Sequence, residues 1–180
     1  MAFLIAAVVF VGLLCVLDLI LSLGVMKRLR EHTELINNLS GRASIGVGEE
    51  VGDFTAGTVD GGTVTRAQLA DGTLVGFFSP SCPACKEKLP KFVQHAAAMP
   101  GGRDRVLATV VGDARQTTDM VAALSPVARV VAESAQHGSV ASAFQISAFP
   151  SVLMLAANDR GVPAVTETGV NLDRRPSRTV

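Results

Sequence analysis

Tryptophan and tyrosine are absent from the 180 residues, and phenylalanine, with 8 copies, is the only aromatic. Platforms on which bases stack are therefore scarce. A charge excess of one sign is missing too. Lys and Arg number 16, Asp and Glu 16, and the formal net charge is +0. No basic stripe tracks a phosphate backbone, and no nucleic-acid partner is expected. Cysteine and histidine are each limited to 3. The histidines, His32, His95 and His137, fall in no paired motif, which leaves a zinc site short of ligands. Internal repeats and low-complexity segments are also lacking.

What the chain has is apolar residues, 48% of the total, crowded at one end. Residues 2–26, "AFLIAAVVFVGLLCVLDLILSLGVM", carry Asp18 as their one charge. A helix of about 25 such residues is long enough for a ~30 Å hydrocarbon core. A cleavable leader would have a basic start and a shorter apolar stretch. The expectation over 1–26 is thus an uncleaved transmembrane anchor. Within it Asp18 lies about nine residues, roughly 13 Å, before Lys27 and has no evident partner in the segment. Cys15 reads as an apolar filler, since a thiolate is disfavoured there. Residues 27–50 read as a juxtamembrane helix and linker: Leu29, Leu35, Ile36 and Leu39 have helical spacing, and Asn37, Asn38, Ser40 and Gly41 end it.

A domain is expected over 51–171, with a polar tail over 172–180. Residues 55–59 and 63–65 flank the turn "DGG" and read as a small hairpin. Residues 67–70 read as one helical turn. The run 73–78, "TLVGFF", has no alternation, as a central strand buried on both faces would not. A helix is expected over 83–99: Pro83 suits its first position, and Leu89, Phe92, Val93 and Ala96 make one apolar face. Pro90 should kink it, and Pro100, Gly101 and Gly102 stop it. "RVLATVV" over 105–111 is a second buried strand, completing a strand–helix–strand crossover. A helix over 116–124 turns Met120, Val121 and Leu124 inward, and a short strand follows over 128–132. A helix over 138–144, the strand "SVLMLAA" after Pro150, a turn at 158–161 and a strand at 165–167 complete the domain. The expected architecture is α/β, a central mixed sheet flanked by helices, with parallel strands first and an antiparallel hairpin last.

Cys82 and Cys85 stand three apart at the junction between the 73–78 strand and its helix. Under one helical turn separates them, so both sulfurs can share a face and close a small disulfide ring. With Pro83 at the first helical position, Cys82 is the cap. Free amides and the positive end of the helix dipole then favour its thiolate, the species that attacks in disulfide exchange. Cys85, one turn in, is the more buried resolving thiol, and Lys86 and Lys88 add positive charge nearby. The same spacing admits half a metal site, a structural disulfide or an inert buried pair. The strand–helix junction and the adjacent crossover favour the redox motif, because chemistry gathers at the carboxyl ends of strands in open sheets. Pro150, directly before a strand, marks an edge or entry point.

The block "FFSPSCPACKEKLP", the anchor before it, the "FP" before the last strand pair and "GVN" at 169–171 together resemble the thioredoxin-like superfamily. Within it the chain looks like membrane-anchored thiol–disulfide proteins of the TlpA/ResA type, and the dithiol block most like the methylamine utilisation MauD group. The resemblance implies a thioredoxin-like fold, with Cys82 as nucleophile, Cys85 as resolving cysteine, Pro150 as a cis-proline and Pro90 as a kink proline. It implies no cofactor, and as partners a protein carrying a disulfide or dithiol and a membrane or extracytoplasmic redox protein. Its substrates would be a methylamine dehydrogenase subunit or an apocytochrome c. Departures are Ser81, where many relatives have Trp before the first cysteine, and Lys88, where ResA-type relatives carry Glu. The final helix of the fold is shortened or absent after Asn171.

The expected function is therefore a membrane-tethered thiol–disulfide oxidoreductase. The alternative is a tethered copper chaperone that uses the same cysteines and a histidine, since thiolates suit Cu(I). His95, roughly 15 Å along the helix from Cys85 at ~1.5 Å per residue, is expected at the surface rather than as a ligand. Orientation is contested. Lys27, Arg28, Arg30 and Arg42 all follow the anchor, which by the positive-inside rule places the domain in the cytoplasm. The family resemblance and the rarity of working disulfides in the cytoplasm place it on the outer face, the side adopted here.

Overall fold

A computed structural model describes residues 43–69, 71–134 and 138–174, together with Met1, Ile5, Phe10 and Gly12. Except for those four positions, the anchor expected over 1–26 and the part before residue 43 of the juxtamembrane helix and linker expected over 27–50, with Cys15, Asp18 and His32, lie outside the described residues. His137 does too. Among the described residues no helix is long and apolar enough to cross a membrane. The chain divides into units Met1–Arg42 and Ala43–Val180, and the second carries the fold. The domain boundary expected at residue 51 thus falls inside that unit. Ile45 is fully buried and its N–H donates to the Phe144 carbonyl at 3.0 Å, and Glu50 bridges to Ala164.

A two-stranded hairpin comes first, β1 (Thr55–Gly57) against β2 (Thr63–Thr65), with Ala56 opposite Val64. β1 stops two residues before the expected Val59. The Thr58 N–H donates to the Gly62 carbonyl to close the turn, and the Val59 N–H turns away to the Val130 carbonyl. A 3₁₀ turn, Arg66–Gln68, leads to a five-stranded sheet of order β5-β4-β3-β6-β7. Its strands are β3 (Thr73–Phe78), β4 (Val106–Val111), β5 (Arg129–Glu133), β6 (Ser151–Ala157) and β7 (Pro163–Thr168). β3–β4 and β4–β5 are parallel, and β3–β6 and β6–β7 antiparallel, as the sequence pattern implies. β3 is central and every one of its residues is buried, which explains its unbroken apolar run.

Alternate β3 side chains feed two cores. Val75 and Phe77 join Phe54, Val64, Val140 and Phe144 on one face. Leu74 and Phe78 join Phe92, Ala96, Met120 and Leu124 on the other. The first face is covered by the hairpin and by α3 (Ser139–Ala143), the second by α1 (Pro83–Ala97) and α2 (Ala114–Leu124). Phe78 and Phe92 meet edge-on, with centroids 5.0 Å apart at 71°, a pairing that adds about 0.5–1.5 kcal/mol to the area they bury. Gly76 lies beneath that pair. A Cβ there would come within 2.6 Å of Phe92 Cε2, so only glycine lets α1 lie so close to the strand.

α1 runs unbroken through Pro90, which sits on its exposed side. Its buried positions include Cys85, Phe92, His95 and Ala96. His95 is therefore not at the surface as expected. It lies three residues beyond Phe92, on the stripe that faces the sheet, and is only 6% exposed. After β7, residues 171–174 form a turn closed by the Arg174 N–H on the Asn171 carbonyl at 3.2 Å, without a helix.

Candidate active site

The parallel sheet delivers the dithiol. β3 ends at Phe78, and Ser79, Pro80 and Ser81 make the link to α1, with the Cys82 N–H donating to the Ser79 carbonyl at 3.1 Å. Cys82 is the N-cap of α1 and Pro83 its first residue. The cap is built by sulfur: the Cys85 N–H donates to Cys82 Sγ at 3.3 Å, satisfying an amide that the helix leaves open. Both cysteines are free thiols. Cys82 is half-buried at the mouth of the site, and Cys85 is fully buried behind it.

The environments of the two sulfurs differ. Cys85 Sγ accepts the Ser79 N–H at 3.4 Å. Burial, then its hydrogen bond with Cys82, pushes the Cys85 thiol up to about 12, against the smaller opposing pull of the Ser79 amide and the Lys88 charge. Cys85 is thus a protonated thiol at neutral pH. Cys82 Sγ donates to the Phe149 carbonyl at 3.4 Å. The Phe149–Pro150 peptide bond is cis, and Pro150 leads directly into β6. The structure so brings together all three residues singled out from the sequence, Cys82, Cys85 and Pro150, although 64 residues of chain separate Cys85 from Phe149. The antiparallel register explains it: Phe77 pairs with Ser151, so the end of β3 and the start of β6 lie side by side.

The Ser79 amide was not read from the sequence: it acts through the main chain, which carries no residue-type signal. The Phe149 carbonyl belongs to the cis bond before Pro150 that the resemblance implies. Lys86, Glu87 and Lys88 are exposed on α1. Among the described residues no three His, Cys, Asp or Glu side chains come together as a metal site. A half-buried thiol at a helix cap, with a buried thiol one turn behind it, can form and resolve a mixed disulfide.

No protein-family model matches the chain, and no curated protein does. Solved structures do match. The thioredoxin domain of a thiol–disulfide oxidoreductase from Bacteroides vulgatus superposes with a TM-score of 0.56 at 13% identity, covering 71% of this chain and 91% of that one. A secreted Mycobacterium tuberculosis disulfide oxidoreductase homologous to E. coli DsbE gives 0.52 at 20% identity, over 67% and 89%. The MTB protein DsbF, solved in mixed oxidised and reduced forms, gives 0.53 at 22% identity, over 67% and 87%. At these identities the likeness defines the fold, which is thioredoxin-like. Of these neighbours, the Bacteroides vulgatus protein is a thiol–disulfide oxidoreductase and the secreted Mycobacterium tuberculosis protein a disulfide oxidoreductase.

Proposed function

We propose that the chain is a membrane-tethered thiol–disulfide oxidoreductase of the TlpA/ResA type, similar to the MauD group, that acts on a partner protein's disulfides during maturation of an extracytoplasmic redox protein. The observation that carries this reading is the Cys82–Cys85 pair at the cap of α1, facing the Phe149 carbonyl. In the reducing direction the Cys82 thiolate attacks one sulfur of the partner's disulfide. That bond breaks, a Cys82–partner mixed disulfide forms, and the second partner sulfur leaves as thiolate. The leaving thiolate takes up the proton of Cys85, and Cys85 then attacks Cys82 Sγ. The Cys82–partner bond breaks, the first partner sulfur leaves as a thiolate that takes a proton from solvent, the Cys82–Cys85 disulfide forms, and two electrons have passed from the pair to the partner. In the oxidising direction the same steps run backwards. Pro150 and Phe149 hold the substrate strand beside Cys82, since the start of β6 offers backbone groups to an extended chain.

The test uses the full chain in lipid nanodiscs. Reduced protein should cleave insulin disulfides. Cys82→Ser should abolish this, and Cys85→Ser should accumulate a mixed disulfide visible by mass spectrometry. Turnover that survives Cys82→Ser would refute the assignment. The anchor over 1–26 and the outer-face placement are tested in intact cells with a membrane-impermeant maleimide. Labelling of Cys82 before lysis, with or without prior reduction, supports the outer face. Labelling only after lysis places the domain in the cytoplasm, in line with the cations that follow the anchor.

A further inference from the structure

The loop between α3 and β6, residues 144–150, sets the Phe149 carbonyl against Cys82. Its main chain is short of donors where it meets the dithiol, because Pro150 has no N–H. Two hydrogen bonds hold it in place. The Ser147 N–H donates to the Ala43 carbonyl at 3.0 Å, and the Ser151 hydroxyl donates to the Ala148 carbonyl at 2.8 Å. The Ala43 carbonyl stands 3.5 Å from the same hydroxyl. Ser151 Oγ therefore lies where the loop, β6 and the chain entering the domain meet.

Ser151 is the unexpected member of this group. It opens β6, is buried, and shares a strand face with Leu153 and Leu155, which belong to the core of Phe77 and Phe144. The rest of that face is apolar, and a buried hydroxyl is costly unless it is bonded. The bond it makes spans Phe149 and Pro150, tying Ala148 to Ser151 across the two residues beside Cys82. The bridge limits rotation of the peptide plane between them. That restraint keeps the Phe149 carbonyl on Cys82 Sγ, 3.4 Å away.

We propose that Ser151 is a positioning residue of the dithiol site: its hydroxyl, bonded to the Ala148 carbonyl, holds the Phe149 carbonyl in the direction that receives an extended peptide substrate. This role rests on the thiol–disulfide reading above. An entrance built in advance lowers the ordering cost of binding an extended chain. A small disulfide without a peptide backbone gains nothing from it.

The test is single-turnover reduction by the full chain in nanodiscs, with insulin and with bis(2-hydroxyethyl) disulfide. Ser151→Ala should raise the insulin concentration at half-maximal rate about fivefold, the worth of one net hydrogen bond, and leave the limiting rate within about twofold. The second-order rate with the small disulfide should be unchanged. Unaltered insulin kinetics would overturn the role. So would equal losses with both substrates, which would mean that the hydroxyl supports the fold or the dithiol itself. A second readout is independent of activity. Phe149–Pro150 is the one Phe–Pro bond in the chain, so ¹³C-carbonyl Phe with ¹⁵N-Pro labelling isolates the Phe149 carbonyl. Oxidising the pair with diamide removes the Cys82 S–H donor and should shift this resonance. In Ser151→Ala the shift should shrink, because the carbonyl no longer keeps to the sulfur; a shift of full size would overturn the role. If the wild-type protein fails to reduce insulin, the thiol–disulfide reading falls, and the carbonyl shift alone decides the role of Ser151.

Discussion

Alkylation of Cys85 gives the most direct reading of the site's electrostatics. Take Cys82→Ser, in which Cys85 is the remaining thiol of the pair. Burial, the largest cause of its raised pKa, is retained, while the raising contributions of the Cys82 thiol are removed, so the thiol stays above the ordinary 9.0 but below the value of about 12 that it has beside Cys82. A shift from 9.0 to about 12 lowers the thiolate fraction at pH 8 by roughly a thousandfold. A more basic thiolate is also a better nucleophile, with a Brønsted slope of about 0.4–0.5, which recovers roughly one and a half decades. With the full shift the ionisation deficit at pH 8 is roughly thirtyfold relative to a free cysteine peptide, an upper bound for Cys82→Ser, and lack of exposed surface at Cys85 lowers the rate further. The assay is timed iodoacetamide labelling with peptide mapping, which separates Cys85 from Cys15. The rate should keep rising with pH beyond 9 and not level off there. A plateau near pH 9 at the rate of an exposed thiol would refute the argument that burial governs Cys85.

Three further outcomes follow from the packing and the same ionisation. Because folding raises the Cys85 pKa above its unfolded value, the folded state prefers the neutral thiol. Its contribution to stability is complete below pH 9.0 and is lost as pH rises toward about 12, so urea midpoints of the reduced protein should fall relative to the oxidised protein across that window. Gly76→Ala should destabilise the domain by about 1–3 kcal/mol, since its Cβ would stand 2.6 Å from Phe92 Cε2 and 2.8 Å from Phe78 Cε2; denaturant melts report it. Glu133→Ala removes the carboxylate that accepts the Val140 and Ala141 amides at 2.8 and 3.1 Å, and should cost about 1–3 kcal/mol in the same melts.

Legibility in the sequence followed how local the cause was. β3 and β6 were readable because burial on both faces leaves an apolar run, and their bounds, Thr73–Phe78 and Ser151–Ala157, match the pattern. The cap of α1 was readable because Pro83 and the cysteine spacing act within one turn. Glu133 was passed over. Its role comes from α3, which the chain sets against β5 in space, and an acid closing an apolar strand carries no mark of that. His95 was placed at the surface because its distance from Cys85 along the helix argued against a ligand role, and its place on the apolar stripe was not read. The stripe of Phe92 and Ala96 includes residue 95. The Ser79 amide had no residue-type signal, being a main-chain group just past the end of β3.

The position of Lys88 sharpens one remaining question, how Cys85 loses its proton during resolution. Burial and then Cys82 raise its pKa, the Ser79 amide and the Lys88 charge oppose them, and no carboxylate is among these influences. The proton must therefore leave to the departing partner thiolate or to solvent hydroxide. The two routes separate when the leaving thiol is strongly acidic and a poor proton acceptor. Loading Cys82 with thionitrobenzoate makes such a mixed disulfide, and its release by Cys85 can be followed by absorbance. Without a side-chain base, the release rate should climb about tenfold per pH unit from pH 6 to 9, tracking the small thiolate fraction of a group that titrates far above that range. A rate that flattens between pH 6 and 8 would reveal a titrating side chain that takes the proton. It would then be that base, rather than the leaving thiolate, that makes Cys85 competent at neutral pH.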